Sequence, residues 1–162
     1  MNKHHNHQHS SHDHGHSENI NSMAVSATLH CLTGCALGEI TGLVIGTIIG
    51  LSTGATIVLA IALAFLFGYT LSILPLLSAG LTFKKALPIV LAADSLSIVT
   101  MEIVDNSVMA VVPGAMGAGL VNPLYWITMS ISLIAAFFAA LPVNKYLLSR
   151  DKGHALVHEY HH

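Results

Sequence analysis

The sequence predicts an all-α, polytopic membrane protein with four transmembrane helices in a bundle. Three observations carry this. Of 162 residues, 53% are hydrophobic and only 9% charged, against about 25% charged in an ordinary soluble domain. A surface so poor in charge cannot face water. The apolar residues also fall into four runs, each long enough for the ~20 residues that a hydrocarbon core requires. Short breaks rich in Gly, Pro, Ser or Lys separate them. The formal charge of −2 says little about partners, because 12 histidines change it as pH falls.

Composition divides the chain into three parts. Residues 1–22 form a low-complexity tail carrying His4, His5, His7, His9, His12, His14 and His16 among Asn, Gln, Ser, Asp and Gly. Nothing there can build a core, so disorder is expected, and His-rich tracts of this kind are metal-capture candidates. Residues 23–150 hold the spans. Residues 151–162 form a second tail, with His154, His158 and His161 on one face if helical.

The first span runs from about Ala24 to Leu51 and has two ridges. Gly34, Gly38, Gly42, Gly46 and Gly50 recur every four residues, a spacing that lets another helix backbone come close inside a membrane. The expected occupant of this groove is the third span, a second copy or another membrane subunit. Cys31, Cys35 and Glu39 form the other ridge, about 100° round the axis, and His30 begins the glycine side. The first apolar run follows a polar tail and is too long for a signal-peptide core, so it is expected to act as an uncleaved anchor.

After a short turn at Ser52 to Gly54, the second span extends to about Gly80, with Pro75 as the expected kink. Its few polar residues, Tyr69, Thr70 and Ser72, suggest packing. The third span runs from about Ala86 to Val112 and carries Asp94, Met101, Glu102 and Asp105. The 11-residue separation of Asp94 and Asp105 returns them to nearly one face, with Glu102 about 80° away. Asn122 and Pro123 supply an N-cap and first-turn proline for the fourth span. Tyr125 and Trp126 fit an interfacial aromatic belt.

Charge sets the expected topology. Lys84 and Lys85 lie in the second loop, and Lys145, Arg150 and Lys152 at the fourth span's end, while the other two loops have no Lys or Arg. The positive-inside rule then puts both termini in the cytoplasm and the spans in the inner membrane. Counting ~1.5 Å per residue, Cys35 and Asp94 should lie level, about 12 Å in, with Glu39 ~6 Å deeper. Glu102 and Asp105 should approach the outer boundary, where Asp105 could sit in water.

Acids inside hydrocarbon cost at least ~2.5 kcal/mol to insert and usually line an interior or a pathway. His30, Cys31, Cys35, Glu39, Asp94, Met101 and Glu102 therefore form the candidate column for a transition-metal ion. Imidazole, thiolate and thioether favour copper or zinc, with nickel and cobalt also compatible. Buried Cys is ordinarily a small hydrophobe, and that bland reading stands beside the ligand reading. The chain contains no GxSxG, Walker A, HExxH or CxxC, so neither an enzyme nor a phosphate binder is expected. Its six basic residues are too few for a nucleic-acid surface.

The run HCLTGCALGEITGLVIGT, the acidic span LAADSLSIVTMEIVDN and the NPLYW start of the last span resemble the bacterial membrane proteins grouped as domain of unknown function 4396. The resemblance covers about Ala24 to Arg150 and is most specific at HCxxGC-x3-E. It implies a small helical membrane domain and assigns no activity.

Overall fold

The structure is a computed structural model that describes residues 13–149, with side chains from residue 20 onward. It has four helices: α1 (Asp13–Ile48), α2 (Thr53–Ser78), α3 (Phe83–Val111) and α4 (Pro123–Ser149). Each is long and apolar enough to cross a membrane, α1 over Ile20–Ile48. Among the described residues there is no strand. The fold class predicted from the sequence is the one observed.

The turns fix the order of the helices. At the end of α1, Gly50 takes φ 71°, and the Leu51 N–H reaches back to the Gly46 carbonyl at 2.8 Å. A left-handed glycine with this 6→1 bond is the Schellman stop. Ser52 then caps α2 by accepting from the Ala55 N–H at 3.4 Å. The α2–α3 turn repeats the device: Gly80 takes φ 91°, and Leu81 N–H bonds the Leu76 carbonyl at 3.1 Å. Before α4, Asn122 Oδ1 accepts from Leu124 N–H at 3.0 Å, the cap the sequence predicts. The four-residue turns at 49–52 and 79–82 make α1, α2 and α3 antiparallel neighbours in order.

The tightest packing is between α1 and α2. Gly34, Gly38, Gly42 and Gly46 are buried, and they meet Gly68, Ala64, Ala60 and Thr56 in turn. A Cβ on Gly34 would stand 2.6 Å from Gly68 Cα, and one on Gly42 2.5 Å from Ala60 Cα. At Gly38 it would collide with Ala64 backbone. The expectation that the third span fills this groove is therefore corrected, and so is its use as a docking face for a second copy or another subunit. Four small residues of α2 already occupy it, since the four-residue turn makes α2 the nearest backbone. Gly50 leaves the ridge to make the turn.

Other boundaries also shift. Helix α1 begins at Asp13, inside the segment expected to be disordered to residue 22. From Asp13 to Met23 the chain contains no proline and one glycine, so nothing stops the helix growing outward from its apolar part. Pro75 lies inside an unbroken α2 whose last residue comes one turn later.

Interhelical polar bonds tie the bundle together. Asn144 donates to Thr28 Oγ1 at 2.8 Å, joining α4 to α1. Tyr69 and Ser95 hydroxyls meet at 2.8 Å between α2 and α3. At their shared loop α2 and α3 are packed by Ile73, Leu76, Ala86 and Val90. Toward the other end a cavity stands between them.

Candidate functional site

Helix α3 turns one broad face inward. Asp94, Ser97, Ile98, Met101, Glu102 and Asp105 are all buried, at the three- and four-residue steps that keep side chains on one side. Against them α1 sets its second ridge. Cys31 lies beside Ser97 and Asp94, Cys35 beside Glu102, and Glu39 beside Asp105 and Glu102. The ridge predicted to carry chemistry thus meets the acidic span, along a face different from the glycine groove.

The level of these pairs differs from the count made along the sequence. Cys35 was expected level with Asp94, but it sits by Glu102, and Cys31 takes the place beside Asp94. The slip is one turn by the Cys31 pair and about two by the Cys35 pair, roughly 6–12 Å. The count rested on span ends judged from hydropathy, and the apolar span of α1 begins at Ile20, a turn before the expected Ala24.

Cys31, Cys35 and Met101 share one core layer with Ile98, Ala64, Ala136 and Ala140. Both thiols are free and buried. His30 is not part of this set. It is carried on the glycine side, and its Nε2 pairs with the Leu71 carbonyl of α2 at 3.0 Å. His14 and His16 fall on the first turns of α1, with side chains outside the described atoms. His4, His5, His7, His9 and His12, and the C-terminal histidines, lie outside the described residues. No group of three or more His, Cys, Asp and Glu among the described residues is arranged to hold a metal ion.

Beyond the sulfur layer, toward the α1–α2 and α3–α4 loops, a cavity of ≈ 420 Å³ opens. Glu39, Glu102 and Asp105 line its inner end. Leu43, Ile57, Ile61 and Met109 make apolar walls, and residues 115–119 of the α3–α4 loop line its outer part. Glu102 is 5% exposed. Its Oε2 accepts from Asn106 Nδ2 at 3.4 Å, while Oε1 is buried with no hydrogen-bond partner among the described residues. Glu39 Oε1 is in the same condition.

Asp105 is the residue whose part the sequence understated. Expected near water, it is 4% exposed and accepts a hydrogen bond from Ser132 of α4. Its spacing from Asp94 was the available signal, outweighed by the depth count. Tyr125, expected in an aromatic belt, is 6% exposed and lines the cavity. Nothing in the sequence marks Ser132 apart from other serines in apolar helices.

Four apolar spans enclosing a polar inner face define a multi-pass helical membrane protein. Within that class, the chain belongs to the family described as Domain of unknown function (DUF4396), whose model matches residues 21–153. The match takes in all four spans. No match is found among curated proteins or among solved structures.

Proposed function

We propose that this protein handles a transition-metal cation, by permeation or delivery. The observation that carries the reading is the inner end of the cavity. Glu102, Glu39 and Asp105 line it together, one Glu102 oxygen is buried with no hydrogen-bond partner among the described residues, and the Cys35 thiol lies beside Glu102. The acids attract and partly neutralise a cation. Behind them Cys31, Cys35 and Met101 offer sulfur in one layer, which suits a soft ion such as Cu(I). Asp94 stands on the far side of that layer, beside Cys31. His30, bonded to α2, takes no part in this version of the site.

In this reading both termini face the cytoplasm, as the Lys and Arg distribution favours. The His-rich segments gather ions there, and the cavity opens to the opposite side. Copper and zinc lead, with nickel and cobalt next. A docking subunit of a larger complex is the second reading, and it needs a face other than the glycine ridge, which α2 fills.

Purified protein in sealed vesicles loaded with a metal-sensitive dye tests the proposal over Cu(I), Zn(II), Ni(II) and Co(II). Uptake of at least one metal is expected, lost in Glu102→Gln and Glu39→Gln. Cys31→Ser/Cys35→Ser should weaken Cu(I) more than Zn(II). Wild-type vesicles no faster than Glu102→Gln vesicles for every metal defeat the reading.

A further inference from the structure

The cavity has features that a metal ion does not use. Its ≈ 420 Å³ equals the liquid volume of about fourteen waters and falls within the ~300–1,000 Å³ range of organic-ligand pockets. Much of its wall is apolar, from Leu43, Ile57, Ile61 and Met109, and no Lys, Arg or His lines it. A bare ion gains nothing from hydrocarbon walls.

Charge is confined to the inner end. Glu102, Glu39 and Asp105 line that end, and one Glu102 oxygen is buried with no hydrogen-bond partner among the described residues. Tyr125 also lines the cavity, and an aromatic face attracts cations within ~6 Å. The complementary molecule has a cationic head with donor hydrogens and an apolar body of limited length. We propose that the cavity binds a primary alkylammonium ion, its head against Glu102, Glu39 and Asp105 and its chain along Leu43, Ile57 and Met109. This goes beyond the metal reading and shares only the acids with it.

The full chain in nanodiscs of zwitterionic lipid is titrated with n-alkylammonium ions of two to ten carbons, and with the neutral alkanols of equal length. Trp126, the single tryptophan, reports through its neighbour Tyr125, whose ring centroid is 5.3 Å away. Affinity should rise with chain length and then fall once the cavity is full. The alkanols should bind about tenfold or more weakly, and Glu102→Gln should lose a similar factor for the ammonium ions. Leu43→Phe, which leaves the acids intact, should move the length optimum to shorter chains. Affinity that climbs without an optimum signals bilayer partition and overturns the proposal. So does Glu102→Gln binding as wild type binds, or alkanols matching ammonium ions. Amine binding without metal uptake retains this site and removes the metal reading. Metal uptake without amine binding does the reverse.

Discussion

Helix α1 carries two ridges of the same period, and the bundle treats them in opposite ways. Gly34, Gly38, Gly42 and Gly46 press against α2 so closely that no Cβ fits. Cys31, Cys35 and Glu39 face α3, where side chains meet side chains and a cavity begins. A four-residue repeat reports only that a face is used. What the residues lack or carry decides the kind of use: absent side chains bring backbones together, whereas thiols and acids keep helices a side chain apart. The difference separates a mechanical seam from a chemical face on one helix.

Substitutions on the two ridges can break that division. Gly38→Leu should have the largest effect, about 3 kcal/mol or more of lost stability, because the first added carbon already meets Ala64 backbone. Thermal unfolding in detergent reads it, and an unchanged midpoint would mean that α2 does not fill the groove. Glu102→Gln keeps the shape of the side chain, so stability should move by about 1 kcal/mol or less, while cation binding at the cavity falls about tenfold or more. A variant that unfolds instead would make Glu102 a packing residue like the glycines.

Smaller effects sharpen the picture. Asn144→Ala removes the bond to Thr28 and should cost about 0.6 kcal/mol, the usual size of a hydrogen bond between membrane helices. His30→Ala should cost a similar or smaller amount through loss of the Leu71 contact, and leave metal uptake at the wild-type rate. Loss of uptake would return His30 to the chemical face.

The fold was legible because lipid imposes few solutions: the four runs and the capping Asn122 read directly, whereas Gly50, counted into the ridge, makes the turn. The two ridges of α1 were legible as well, from spacing alone. Their partners were not. Which helix fills a groove depends on turn length and on the whole bundle, and Gly68, Ala64 and Ala60 look like ordinary small residues of an apolar run. Depth was misjudged for a related reason. Hydropathy locates the membrane boundary to within a turn or two, and an error at Ala24 carries through to Cys35 and Glu39. Asp105 was missed because depth along α3 does not say which side chains the neighbouring helices cover, and Ser132 for want of any local signature.

The seam between α1 and α2 bears on how the chain reaches its membrane. Its partners are close in sequence and joined by a four-residue turn, so little chain entropy opposes their meeting. The first half can settle as a helical hairpin while the second is still being made. Helix α3 is costly to take out of water, because it brings Asp94, Glu102 and Asp105. It then arrives beside a finished wall that already presents Cys31, Cys35 and Glu39, and its acids pass from the aqueous side into a polar cleft rather than into lipid.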